Sequence, residues 1–204
     1  MLMGFLTYCF IISCDSQGKA NFNKIQPDSV LKDIPVGNRG EYFSSYIFTR
    51  QIEKKLNLDE LEKGYDSIQI RIWRGFANTD SSQLIILKSQ NDEWKGFVGN
   101  FKFFFNERNE LISINKKIEQ KSPRSSWNGF MRRINEMKIN DLPDCNELSN
   151  YPQISGGENF IFEIATKRKY RIYNYPEPDM AKDEIWQAKN VIEIFELIEY
   201  EFGL

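Results

Sequence analysis

The sequence predicts an α+β fold: an antiparallel sheet, made of a four-strand meander and a later hairpin, with helices packed on one face. Two observations carry the prediction. Four consecutive segments read as strands, three with apolar residues alternating at period two and one a short apolar run, and a later pair reads as a hairpin. The stretches before, between and after them place apolar residues at spacings of three and four. Strands and helices are therefore segregated along the chain, as in α+β proteins.

The first helix is read over Glu41 to Leu56, where Phe43, Ile47, Phe48 and Ile52 recur at helical spacing with charged residues between them. "NLDELEKG" extends it or adds a short turn ending at Gly64. The period then changes. "SIQIRIW" sets Ile68, Ile70 and Ile72 on one face and Gln69, Arg71 and Trp73 on the other. "SQLIILK" is a short apolar strand. "WKGFVGNFKFFFNE" aligns Phe97, Phe101, Phe103 and Phe105, and "ELISINKKIEQ" aligns Ile112, Ile114 and Ile118. The joints "SQNDE" and "NERNE" have turn chemistry, so sequential strands fold into a meander with one buried face.

Pro123 and the pair Ser125-Ser126 end the sheet and cap a second helix, whose stripe is Trp127, Phe130, Met131, Ile134 and Met137. A loop rich in Pro and Gly leads to the hairpin "NFIFEIA" and "YRIYNY", closed by "TKRK". The last helix is read as capped by Asp179 and ended by Gly203. Its seam is Ala188, Val191, Phe195, Ile198 and Phe202.

Composition excludes several functions. Hydrophobic residues make up 41% of the 204 residues and aromatics 14%, enough to build a real core. Lys and Arg number 27 and Asp and Glu 29, a net charge of −2 with no basic excess, which argues against nucleic acid as the main partner. There is no histidine. Ser-His and Cys-His nucleophile pairs and His-ligated zinc are thereby excluded. No phosphate-cradling GxxxxGK[ST] or GxGxxG stretch occurs, and no cofactor is expected. The acidic loop "NDLPDCNE" gathers Asp141, Asp144 and Glu147 but lacks the spacing and turn glycine of a calcium loop, so it reads as solvated. Cys145 within it reads as a small, partly buried residue.

One constellation stands out. A two- or four-residue turn at Lys167-Arg168 sets Phe162 opposite Tyr173, Phe160 opposite Tyr175 and Ile164 opposite Arg171. This aromatic ladder has two readings. It is the core face, stabilised by cross-strand ring pairs. Alternatively, joined by Arg71 and Trp73, it is a platform for a glycan or peptide, giving Arg71, Trp73, Tyr173 and Tyr175 as ligand-binding candidates. Glu163, Asp179 and Glu184 are the carboxylates available to a glycan-cleaving enzyme, a role that depends on a separation in space. The polar loop "FANTDSSQ" and the basic "TKRK" tip read as ordinary exposed loops.

The N-terminus decides location. Residues 1–13, "MLMGFLTYCFIIS", carry no charge and are followed by Cys14 and a polar stretch. The run is too short for a bilayer-spanning helix, which needs about 20 apolar residues, and matches the apolar core of a secretion signal. Ile11-Ile12-Ser13-Cys14 resembles the lipobox of bacterial lipoproteins, although no Lys or Arg opens the run. The resemblance implies cleavage after Ser13, diacylation of the Cys14 thiol and residence in the cell envelope, at the inner or outer membrane. With Cys9 removed and Cys14 lipidated, Cys145 is left without a disulfide partner. The organisation expected is a signal peptide over 1–13, a lipidated Cys14 and flexible tether over 14–40, and one domain over 41–204. That domain is expected to bind or scaffold without chemistry. The alternative is a His-independent envelope enzyme that uses carboxylates or a Tyr/Lys pair, acting on glycans.

Overall fold

The structure, a computed structural model, describes residues 29–75, 81–108, 110–153 and 156–204. The signal segment, Cys14 and most of the "FANTDSSQ" loop lie outside the described residues. A seven-stranded sheet forms the frame, in the order β1-β7-β6-β2-β3-β4-β5. Its strands are β1 (Leu31–Asp33), β2 (Ile68–Gly75), β3 (Ser81–Gln90), β4 (Glu93–Phe105), β5 (Leu111–Lys121), β6 (Asn159–Thr166) and β7 (Lys169–Pro176). Three helices pack on it: α1 (Ser44–Leu56), α2 (Trp127–Glu136) and α3 (Trp186–Phe202). No described helix is long and apolar enough to cross a membrane.

The meander β2-β3-β4-β5 is antiparallel throughout, and the β6–β7 hairpin joins it through β6 against β2. The hairpin register is the one the turn chemistry predicts, with Phe162 opposite Tyr173, Phe160 opposite Tyr175 and Ile164 opposite Arg171. At β4, the Phe101 ring folds over Gly99, where a Cβ would meet it at 2.7 Å.

The helices do not share one face. Ile70, Ile72, Phe160 and Phe162 pack with α2 and α3 in one cluster, whereas Trp73, Ile161 and Ile172 pack with Ile52 and Leu56 of α1 in another. The expectation of a single helical layer fails because β2 and β6 are central strands, with apolar side chains on both faces. Both faces must then be covered.

Three further expectations are corrected. The chain read as tether up to residue 40 already contains β1, which pairs in parallel with β7 from Leu31 opposite Lys169. Three residues with no alternation give no strand signal, and only the exposed edge of β7 recruits them. Asp179 does not cap α3. It lies in a short 3₁₀ turn, Pro178–Met180, and pairs with Lys182 at 2.6 Å, while α3 starts after Ile185. The buried stripe of α1 is Thr49, Ile52, Glu53 and Leu56, with Ile47 turned outward.

Other caps hold as read. Ser126 Oγ accepts from Gly129 N at 3.1 Å, and Gly203 takes the left-handed conformation that ends α3. The whole predicted seam of α3 is buried, together with Glu201, which accepts from Ser125 N at 2.8 Å and ties the start of α2 to the end of α3.

Candidate functional site

Three places combine polar chemistry with defined geometry: the tyrosine edge of the ladder, a charged cluster beneath α1, and a groove at the β6–β7 tip. The first two follow from strand alternation, which sends Arg171, Tyr173 and Tyr175 to one face of the sheet and Tyr170, Arg71 and Trp73 to the other.

The ladder is core. Phe162 and Tyr173 stack at 4.9 Å with rings 9° apart, and Tyr173 and Tyr175 are 1% and 0% exposed. Their polar ends are occupied. Tyr173 Oη donates to Ile139 O at 2.7 Å, Tyr175 Oη donates to Pro143 O at 2.7 Å, and the Arg171 guanidinium donates to the carbonyls of Asn140 and Leu142. Alternate side chains of β7 thus pin a loop whose carbonyls have no helix or strand amide to accept from. Burial holds the Tyr173 hydroxyl well above the ordinary phenol range. Tyr173 and Tyr175 therefore present no open platform.

The acidic loop is likewise built in. Asp144 is buried, not solvated, because its carboxylate accepts from the backbone amides of Asn146 at 3.0 Å and Asn174 at 2.8 Å. Desolvation raises its pKa. Asp141 and Glu147 stay exposed, and no group of Cys, Asp and Glu among the described residues is arranged to hold a metal. Cys145 is buried with its Sγ 3.6 Å from Asn174 Oδ1, and burial pushes the thiol up, away from the thiolate a nucleophile needs.

Arg71 and Trp73 lie on the opposite face, under α1, in a charged cluster that the ladder does not join. Arg71 sits directly across from Glu163 in the β2–β6 pairing. Its guanidinium donates to Glu53 of α1 and, at 2.9 Å, to Asp59 O. Glu163 is fully buried and accepts from Arg50, from Trp73 Nε1 at 2.9 Å and from Tyr170 Oη at 2.8 Å. Arg50 also pairs with Glu53 at 2.7 Å, and Glu62 accepts from Tyr46 Oη at 2.7 Å and from Lys32 Nζ at 3.0 Å.

Burial raises the Glu53 carboxyl above the usual carboxylate range against the pull of Arg50 and Arg71, and lowers Arg71 below the usual guanidinium range. Both shifts say that desolvation outweighs the mutual attraction. Burial pushes the more open Glu62 upward, but hydrogen bonds from Tyr46 and Lys32 hold it below the ordinary range. The buried carboxylates thus close bonds between α1 and the sheet. Of the other carboxylates considered for chemistry, Asp179 and Glu184 are exposed and on another element.

Sequence reasoning singled out Arg71, Trp73 and Glu163 but missed Arg50, Glu53 and Glu62. One signal was available: a lone Arg between isoleucines in "IRIW" and a lone Glu between apolar residues in "IFEIA" are inward-facing charges, and each requires an opposite partner.

The third place is an open groove of about 950 Å³ at the end of the sheet where the chain enters. Val30, Gly64, Tyr65, Lys88, Lys167 and Arg168 line it. Gly64, at φ +88°, presses its backbone onto the hairpin tip. A Cβ there would lie 2.9 Å from Lys167 O. Tyr65 N donates to Thr166 O at 3.0 Å and Leu31 N donates to Arg168 O at 2.9 Å, so two chain segments grip the tip by its carbonyls. The side chains of Lys167, Arg168 and Lys169 are left exposed.

Comparison with protein-family models, with curated proteins and with solved structures finds no match to this chain.

Proposed function

We infer that the chain is a lipoprotein of the bacterial cell envelope, held to a membrane by acyl chains on Cys14, and that its α+β domain binds or scaffolds a partner without catalysing a reaction. The observation that carries the anchor is Ile11-Ile12-Ser13-Cys14 at the end of an uncharged run, with polar chain beginning at Asp15. Support for a non-catalytic domain comes from the buried carboxylates. Glu53 and Glu163 are held by arginines and by neutral donors under α1, and Asp144 by backbone amides. A general acid or base has to reach a substrate proton, and these groups already close structural bonds. The aromatic ladder is not the binding surface in this reading, since its rings and hydroxyls are committed to the core. The groove at the β6–β7 tip is an open polar surface among the described residues.

The anchor is tested by growing cells with a labelled fatty acid. The wild-type chain should take up label and stay in the membrane fraction in high salt, since each buried methylene contributes about 0.8 kcal/mol and two or three acyl chains bind firmly. Cys14→Ala should abolish the label and leave an unprocessed precursor or a released form. Label retained by Cys14→Ala would refute the anchor.

A further inference from the structure

We propose that the β6–β7 tip, Lys167-Arg168-Lys169 with Lys63 and Lys88 beside it, is the surface on which the domain rests against anionic lipid headgroups. The proposal rests on the Cys14 anchor and adds to it an orientation and a lipid preference.

Three observations converge on this end of the molecule. The first is where the chain enters. β1 runs parallel to β7 from Leu31 opposite Lys169, and Val30 lines the groove, so the link from Cys14 arrives beside the tip and not at the far end of the sheet. Cys14 and Val30 are 16 positions apart, and a flexible chain of that many residues spans roughly 20–25 Å on average. That length permits the near end of the domain to touch the headgroups and disfavours contact by the far end.

The second is charge. Lys167, Arg168 and Lys169 are consecutive and exposed, and none of them, nor Lys88, is in an ion pair among the described residues. Carboxylates are present in the groove wall at Asp59, Glu60 and Asp66, but Glu60 already pairs with Lys63 at 2.7 Å. Lys63, Lys88, Lys167 and Arg168 line the same groove, and Lys169 stands next to them on the turn. Attraction to a charged surface decays over about 8–10 Å at physiological salt, so only cations held this close to the membrane contribute.

The third is rigidity. The carbonyls of Thr166 and Arg168 are bound by Tyr65 and Leu31, and Thr166 Oγ1 accepts from Lys169 N at 3.1 Å. A turn gripped in this way holds the backbone that carries the cations in one conformation. The backbone part of the ordering cost of docking is therefore already met by the fold.

The test is hydrogen exchange on the full chain, purified in detergent and reconstituted into vesicles. One set is purely zwitterionic and the other contains about a third anionic phosphatidylglycerol. The mass of the N-terminal peptide, read in the same samples, reports separately whether Cys14 carries acyl chains. Amides of residues 64–66 and 167–169 should exchange several-fold more slowly on anionic vesicles than on zwitterionic ones, and those of 106–108 at the opposite end should not change. The protection should vanish in 1 M salt and in Lys167→Glu/Arg168→Glu/Lys169→Glu. Each cation near an anionic surface contributes about fivefold in membrane partition, so this triple variant should lose about a hundredfold or more. Exposed substitutions at a turn leave folding intact, which an unchanged melting temperature verifies.

Acylated Cys14 with equal exchange on both vesicle types would overturn the orientation while leaving the anchor standing. Tip protection on anionic vesicles with no acyl group on Cys14 would support the headgroup surface and refute the anchor. Protection by soluble polyglutamate but not by vesicles would overturn the membrane assignment and give the tip to an acidic polypeptide.

Discussion

Glu163→Ala should remove a large share of the domain's stability and move its urea midpoint far below that of the wild type. The carboxylate is fully buried and accepts from a guanidinium, an indole and a phenol, supplied by α1, β2 and β7. Alanine leaves Arg50 with a truncated partner set and strands the Trp73 and Tyr170 donors away from water. Removing one member of a buried ion pair costs about 3–5 kcal/mol, against a total stability of about 5–15 kcal/mol for a domain. Glu163→Gln keeps the volume and one acceptor oxygen but turns an amide nitrogen toward a donor, so it should be intermediate. Urea unfolding followed by circular dichroism orders the three proteins. A Glu163→Ala midpoint close to wild type would mean that the cluster does not hold α1 to the sheet.

Phe162→Ala should be comparably severe, by a different route. The ring is 0% exposed, stacks on Tyr173 and lies under the α2–α3 layer. Truncation removes buried apolar area and opens a cavity in a close-packed core, at about 3–5 kcal/mol. For a domain of this size that corresponds to a fall in melting temperature of about 6–20 °C. The damage should spread to the loop pinned by β7, since Tyr173 loses its stacking partner while its hydroxyl still reaches for Ile139 O. Calorimetry decides the case. A melting temperature within a few degrees of wild type would return the ladder to the surface and revive it as a glycan or peptide platform.

What the sequence made legible was local. The register of β6 and β7 followed from the turn at Lys167-Arg168, the faces of β2 and β4 from period two, and the ends of α2 and α3 from Ser126 and Gly203. What it hid depended on distant partners. Arg71 and Glu163 stand opposite each other although 92 positions apart in the chain, a pairing set by β6 docking on β2 and by no nearby signal. Until that pairing is known, Glu53 reads as a solvent residue of an amphipathic helix. With it, Glu53 turns inward to Arg71, rotating the buried stripe of α1 away from Ile47. The candidates Arg71 and Trp73 were on the right strand but on the wrong face for the ladder, because the ladder's own parity runs through Ile70 and Ile72. β1 was hidden for a related reason, since a three-residue parallel strand exists only where an edge receives it.

The claim that Arg71, Glu53 and their neighbours lock α1 to the sheet, and do not form a reaction centre, is tested most directly by a double-mutant cycle of Glu53→Met and Arg71→Met measured by urea unfolding. The lock predicts that each single change destabilises by leaving a buried charge short of a partner. It also predicts that the double variant recovers part of the loss, with a coupling of about 1–3 kcal/mol. Sites kept for chemistry commonly gain stability when their charged groups are replaced. Single variants more stable than wild type, or losses that simply add, would contradict the structural role.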